Sequence, residues 1–322
     1  MAKSDRMQER FARYMRRQSS SRFGNHYEPA IRATREEGPR ISRLFRVWNE
    51  PLGRDLHLLS RSEFHAALLA LFHPGLFDLH EQKLLSPVPA PHPLSGHPRV
   101  ATSGLPTHAG TVKVAERLGV LKKHPKLVLT NADGLPEWVP FPYVGDLLLF
   151  LYGDEGAFCI NWSVKLTPED FQRRGPLRFG RLRRQGPDAS AILRNEIEQA
   201  YYADAGIPTY RIAGTEIDLQ LAANLRRIYP SHAFDPGIAP EQSDQIIQVL
   251  QEAVGTISTI QTVLHHIGQA HRLEQHIVRG ILFRAIWERK VRFDLFDPLL
   301  IDRPLKSPKV DPLTRYADWF AG

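Results

Sequence analysis

An aspartate and a lysine lie at opposite ends of one predicted β-hairpin in this sequence. Asp146 opens an apolar run, a Gly-Asp-Glu-Gly turn occupies residues 153–156, and Ser163 and Lys165 end the second run. Strands that pair about this turn place Asp146 almost opposite Lys165, and side-chain alternation puts Ser163 on the same face as Lys165. The pair has two interpretations: an ordinary cross-strand ion pair, or the centre of a metal-dependent nuclease site.

The nuclease interpretation assigns a role to each charged group. Hydrolysis of a phosphodiester bond needs a divalent cation, and Mg²⁺ prefers hard oxygen ligands while it keeps several waters. Such a cation polarises a phosphoryl oxygen and lowers the pKa of its bound water, and a nearby lysine stabilises developing negative charge. The sequence therefore predicts a Mg²⁺ site, in which Mn²⁺ substitutes, with Asp146 as central ligand, Glu81 as second ligand and Lys165 as the group that positions the nucleophile.

Further oxygens are available close to this pair. Either the side chain of Ser163 or the backbone carbonyl of Val164 would supply an additional ligand, and Glu198 on a following helix would bind a second ion. Each acid also has a structural interpretation. Glu81 would then be a surface residue on a strand, and Glu198 a solvated helix position.

A loop rich in arginine follows the lysine directly. It carries six arginines and no acid between its first and last arginine, so it would clamp DNA phosphates without reading base sequence. The alternative is a solvated flexible loop. The six residues are Arg173, Arg174, Arg178, Arg181, Arg183 and Arg184.

Composition limits the classes of partner. The chain has 322 residues, a hydrophobic content of 42% and a net charge of +7, which favours a polyanion such as double-stranded DNA, although a basic protein without such a partner remains an alternative. No apolar run approaches the length of a membrane span, so we expect a cytoplasmic protein and no membrane partner. Cys159 is the single cysteine, which excludes an intrachain disulfide and a cysteine-based zinc site.

The elements that must position the site predict an α/β fold with the sheet at its centre. A catalytic domain is expected over 41–230. Its predicted strands are a hairpin at 41–59, a run at 76–85 that carries Glu81, a short run at 126–130, the hairpin at 145–166 and a strand at 208–212. Its predicted helices cover 63–72, about 111–120, 189–205 and 215–228.

The two ends of the chain differ from this core. Residues 1–40 are polar and basic, and they predict either an arm that orders on DNA or a partner, with a short helix at 6–17, or a disordered tail. Residues 240–322 predict three helices, at 241–254, 256–266 and 271–290, followed by a β-wing formed by 291–296 and 299–301. That pattern is typical of a winged helix-turn-helix, a module that binds DNA or, in many proteins, only other proteins.

Several ordered blocks resemble TnsA, the endonuclease subunit of heteromeric cut-and-paste transposases. They are Leu56-His-Leu-Leu-Ser60 with the helix and the 76–82 run that follow it, the hairpin from Asp146 to Lys165, and the segment from Glu196 to Pro208, in which Glu198 falls on the acid of the family's helix. The position two residues before the lysine is usually Gln in that family and is Ser163 here. The resemblance covers about 41–220 and is weaker beyond 240.

The resemblance implies a restriction-endonuclease-like core that makes Mg²⁺-dependent cuts at the 5′ ends of a transposon. It also implies a TnsB-like recombinase of the DDE class that cuts the 3′ ends, and a TnsC-like AAA+ ATPase regulator that contacts a winged-helix-like C-terminal domain. Association with the bacterial nucleoid during activity would follow. Two other functions fit the same residues: a DNA-binding or bridging protein on a degenerate nuclease fold, and a stand-alone restriction or repair nuclease.

Overall fold

The computed structural model describes residues 3–20, 22–39, 42–101, 103–130, 133–173 and 187–322. The chain divides into two compact units, one of residues 1–64, 75–215 and 321–322, the other of residues 65–74 and 216–320. Helices and strands both form, which confirms the predicted α/β class. Within the described ranges, no helix combines the length and the apolar character that crossing a membrane requires.

The helices and strands follow the predicted order closely. The first unit holds α1 (Lys3–Gln18), β1 (Phe45–Asn49), β2 (Arg54–Leu58), the first turn of α2 (Arg61–Leu71), β3 (Leu76–Glu81), β4 (Leu84–Leu85), α3 (Thr111–Arg117), β5 (Lys126–Thr130), β6 (Pro136–Pro140), β7 (Tyr143–Val144), β8 (Leu147–Gly153), β9 (Gly156–Lys165), α4 (Ala189–Ala203) and β10 (Thr209–Ala213). The second unit holds the rest of α2, α5 (Leu219–Ile228), α6 (Pro240–Glu252), α7 (Ile260–His271), α8 (Gln275–Trp287) and α9 (Pro312–Arg315).

A mixed four-stranded sheet in the order β10-β9-β8-β3 forms the centre of the first unit. Strands β8 and β9 are the predicted hairpin, closed by the pair Gly153 and Gly156. Strand β10 runs parallel to β9, with Ala213 in register with Lys165, so both strands end at the same edge of the sheet. This edge therefore collects the side chains at the end of β9 and the loop that follows β10.

Apolar packing fixes α4 against one face of this sheet. Leu193, Ile197 and Tyr201 of the helix pack in one buried cluster with Leu148 and Phe150 of β8. Cys159 belongs to the same cluster as a buried free thiol. Since α4 lies on the face that also carries Asn161 and Ser163, the helix brings Glu198 over the end of the hairpin.

The described part of the N-terminal segment belongs to the folded unit. Tyr14 of α1 is buried, and the Arg17 guanidinium forms two hydrogen bonds with the Glu37 carboxylate, at 2.7 and 2.8 Å. The Gln18 amide donates to the Gln82 carbonyl at 3.1 Å and accepts from the Leu84 amide at 2.8 Å. A disordered tail is therefore wrong for residues 3–39, apart from residue 21, which lies outside the described ranges.

The predicted β-wing is absent from the described second unit. Residues 291–296 form no strand, although the sequence alternates there and Val291, Phe293 and Leu295 are buried; Asp294 is buried with them. The Asn224 side-chain amide donates to the carbonyls of Leu295 and Asp297, at 2.9 and 2.8 Å. A side chain therefore supplies hydrogen bonds that a neighbouring strand would otherwise have made. The three predicted helices are present as α6, α7 and α8.

Candidate active site

The predicted pair of Asp146 and Lys165 forms at the edge where β9 and β10 end. The Lys165 ammonium donates from Nζ to Asp146 Oδ2 at 2.8 Å and to the Val164 carbonyl at 2.8 Å. Asp146 Oδ2 also accepts from the Val164 backbone amide at 2.7 Å. Burial disfavours the Asp146 carboxylate, but the charges of Lys165 and Arg194 hold its pKa below the usual value. Asp146 therefore stays ionised, with its charge directed at the Lys165 ammonium.

Glu63, in the first turn of α2, is a third charged group at this edge. Gly214, directly after β10, lies against Ser62 so closely that it has no room for a side chain, which fixes the start of α2 beside the ends of the strands. Burial, followed by the negative charge of Asp146, raises the pKa of the Glu63 carboxyl to about 7. The Asp146 carboxylate therefore lies near enough to oppose ionisation of Glu63.

Three hydrogen bonds orient the Glu63 carboxyl group. It accepts from the Leu59 amide at 2.8 Å and the Ser60 hydroxyl at 3.1 Å, and the Gln82 amide nitrogen donates to it at 2.9 Å. The Ser60-to-Glu63 spacing is a capping box, which the sequence shows plainly. This spacing predicts a helix-capping role for Glu63, so the local sequence gives no signal for its place at the site.

Glu81 lies elsewhere, which corrects its predicted place beside Asp146. Glu81 pairs with Leu147, and Leu147 pairs with Trp162, so these three side chains point to one face of the sheet. Ser163 follows Trp162 in the strand and therefore points to the other face. The Glu81 carboxylate is fully buried and accepts from Arg54 at 2.8 and 3.0 Å and from the His57 amide at 3.0 Å. The structural alternative, in which Glu81 is a surface residue on a strand, is also wrong. The Glu81 oxygens serve a buried ion pair.

Glu198 and Ser163 meet beside Asp146. Glu198 accepts from the Asn161 amide at 3.1 Å and from the Ser163 hydroxyl at 3.5 Å. Burial and the charge of Asp146 raise the pKa of the Glu198 carboxyl above its ordinary value. A solvated helix position is therefore wrong for Glu198, and the Ser163 side chain is directed towards Glu198.

The arginine loop lies mostly beyond the described residues. Only Arg173 is within them, and its backbone amide donates to the Asp170 carbonyl at 3.3 Å. The other predicted phosphate contacts, Arg174, Arg178, Arg181, Arg183 and Arg184, lie outside the described residues. A different arginine contributes positive charge at the site, since Arg194 of α4 donates to the Val144 carbonyl at 2.7 Å and acts on Asp146.

The oxygen donors at this edge are of the chemical type that a hard cation accepts. In the described ranges, no group of three His, Cys, Asp or Glu side chains is arranged to hold a metal ion. However, the Lys165 ammonium already bonds to two oxygens, Asp146 Oδ2 and the Val164 carbonyl. With Glu63 these make two carboxylates and one carbonyl, oxygen donors of the kind that Mg²⁺ accepts together with its retained waters.

No protein-family model and no curated protein matches the chain. Its function is therefore inferred from the geometry at Asp146, Glu63 and Lys165 and from the resemblance that the sequence itself carries.

Proposed function

We propose that the chain is the Mg²⁺-dependent endonuclease subunit of a heteromeric transposase. It hydrolyses the 5′ ends of the transposon, the non-transferred strands, while a DDE recombinase cuts the 3′ ends. One observation carries the proposal: the Lys165 ammonium bonds to both Asp146 and the Val164 carbonyl, and the Asp146 charge helps to raise the pKa of the nearby Glu63 carboxyl. An ordinary cross-strand ion pair does not need a second buried acid at the same edge.

The residues divide the chemistry among them. Asp146, Glu63 and the Val164 carbonyl would hold Mg²⁺. When bound, Mg²⁺ would polarise a phosphoryl oxygen and lower the pKa of a bound water. Lys165 presents its ammonium protons towards a phosphate or an attacking water and stabilises negative charge as it develops. Gln82 keeps the Glu63 carboxyl in one orientation. Glu198 is proposed as a ligand for a second ion, a role in which its carboxyl group is ionised.

The finer fold assignments belong to the same proposal. The first unit is proposed as a restriction-endonuclease-like core, and the C-terminal helices as a module that contacts an AAA+ ATPase regulator. Residues 216–320 carry 12 basic and 13 acidic side chains, so their net charge is close to zero. This balance favours a protein partner for the C-terminal unit, because phosphate binding depends on positive charge.

A DNA-binding or bridging protein on a degenerate nuclease fold is the second candidate. It is favoured by the lack, within the described ranges, of three metal-ligating side chains arranged around one point. In that case the contacts of Lys165 would be purely structural, and Asp146 variants would bind DNA but show no change in any strand cleavage. A stand-alone restriction or repair nuclease would instead cut DNA without a recombinase.

Asp146→Ala and Lys165→Ala are each expected to abolish cleavage of the 5′ strands. The assay combines the full chain, transposon-end DNA, the DDE recombinase and Mg²⁺ or Mn²⁺, and it resolves the two strands on a denaturing gel. Asp297→Ala and Lys306→Ala are matched controls, since that pair has the same 2.8 Å separation at an exposed position. Wild-type cleavage by the Asp146 and Lys165 variants would show that the site is assigned wrongly.

The arginine loop is expected to hold DNA phosphates. Neutralising Arg181, Arg183 and Arg184 together should weaken DNA binding and reduce the dependence of the binding constant on salt by roughly one logarithmic unit per lost contact. The measurement is a DNA titration at several salt concentrations. An unchanged slope would show that these side chains do not contact phosphate.

A further inference from the structure

The hairpin of β5 and β6 presents a large aromatic side chain to solvent. Its strands pair in the register Lys126 with Pro140 and Val128 with Trp138, so these residues share one face. Trp138 is 64% exposed. The Lys126 ammonium lies 4.5 Å from the centre of its ring system. We define Lys126, Val128 and Trp138 as the Trp138 face.

The opposite face of this hairpin anchors it to the first unit. Leu127 is buried in a cluster with Tyr14 and Phe141, and Leu129 and Val139 pack against the same cluster. Helix α1 holds the free edge of β5, because the Gln8 amide donates to the Val128 carbonyl at 2.8 Å. The Trp138 face is therefore displayed by a fixed ribbon.

The charge around this ribbon is positive. Lys122 and Lys123 are exposed in the short helix Leu121–Lys123, three residues before β5, and Lys126 is exposed at its start. Glu137 is next to Trp138 in the strand, and alternation directs it to the opposite face. Outside residues 216–320 the chain carries 30 basic and 22 acidic side chains, so the whole excess of positive charge lies with the unit that holds the hairpin.

We propose that the Trp138 face is a second DNA contact, formed by residues other than those of the cleavage centre. A two-stranded ribbon fits the major groove of B-DNA, and the three lysines neutralise phosphates beside it. DNA is favoured over a protein partner because the exposed aromatic ring is accompanied by exposed lysines and sits on the basic unit. The contact positions the duplex and requires no base reading. That the duplex is transposon-end DNA rests on the proposed function.

Trp138→Ala in the full chain is expected to weaken binding to a fluorescently labelled duplex roughly tenfold, the loss expected when an aromatic side chain no longer buries its apolar area. Fluorescence anisotropy without added metal measures this binding while cleavage is off. Trp48→Ala is the matched control, because Trp48 is 48% exposed on the separate hairpin of β1 and β2 and should leave the affinity unchanged. The triple variant Lys122→Ala, Lys123→Ala, Lys126→Ala should reduce the salt slope by about two to three.

The outcomes separate this proposal from the proposed function. Weaker binding by Trp138→Ala, together with no cleavage of the 5′ strands by the wild-type chain in the assay with recombinase and Mg²⁺, would support the contact and reject the nuclease. Equal affinity of the Trp138→Ala and Trp48→Ala variants would overturn the contact, even if the wild-type chain cleaves. Unchanged DNA affinity with lost binding to the recombinase in a pull-down would identify a protein interface instead, and would also overturn the proposal.

Discussion

Glu63→Gln is expected to reduce cleavage of the 5′ strands by roughly 1000-fold and, at the same time, to stabilise the protein above pH 7. The two effects have one cause. The Glu63 carboxyl is buried next to Asp146, so its negative charge costs folding free energy while it provides a ligand oxygen. A glutamine keeps an acceptor for the Leu59 amide and removes the charge. Residues that are unfavourable for stability and retained at a site are expected where chemistry requires them.

The pH dependence follows from the raised pKa. The folded state holds the Glu63 proton up to a pKa of about 7, whereas the unfolded state releases it near 4.5. Between these values the unfolded state binds fewer protons, so stability falls as pH rises, by up to about 3 kcal/mol at pH 8. Urea unfolding at pH 4 and pH 8 should show a gain for Glu63→Gln at the higher pH only.

Metal binding should share this dependence. A cation binds the ionised carboxylate, so Mg²⁺ must displace the Glu63 proton, and its affinity should rise with pH up to about 7. Isothermal titration calorimetry in buffers of different ionisation enthalpy detects the released proton. Glu241→Gln, in the first turn of α6 of the second unit, is the control for a glutamate at a helix start. Full cleavage by Glu63→Gln would remove Glu63 from the proposed mechanism.

Local signals made the hairpin predictable. A glycine-rich turn between two β-forming runs fixes the register over a few residues, and the register alone brings Asp146 to Lys165. Helix α4 was similarly predictable from the spacing of its apolar residues, and it carries Glu198 to the site. In each case the information lies within one element or between sequence neighbours.

The remaining site residues depend on contacts between distant segments. Glu63 reaches the site because α2 begins against Gly214, about 150 residues further along the chain, and no local pattern reports that contact. Glu81 shows the opposite failure. It was placed by its position in a strand, but a shift of one residue in a strand changes the face, and its pairing with Leu147 directs it away from Ser163. Its true partner, Arg54, comes from a different sheet.

Glu81→Ala is expected to lower the free energy of unfolding by about 3–5 kcal/mol, because it leaves a buried guanidinium without its counter-charge. The Arg54 side chain is 7% exposed and lies against the Tyr27 ring, 4.8 Å from its centre. Burial alone would lower the pKa of Arg54, but the Glu81 carboxylate raises it above the ordinary value. Arg54 therefore stays charged, and water cannot replace the lost carboxylate. Chemical denaturation followed by circular dichroism measures the change.

The double variant Arg54→Met, Glu81→Leu distinguishes an ion pair from a metal ligand. Removing both charges together should recover most of the stability that Glu81→Ala loses, since an apolar pair of similar volume is often as stable as a buried ion pair. The same double variant should retain cleavage of the 5′ strands, because Asp146, Glu63 and Lys165 are unchanged. A folded, stable double variant that binds DNA but no longer cuts it would instead return Glu81 to the catalytic centre. In that case the proximity of Glu63 to Asp146 would have only a structural role.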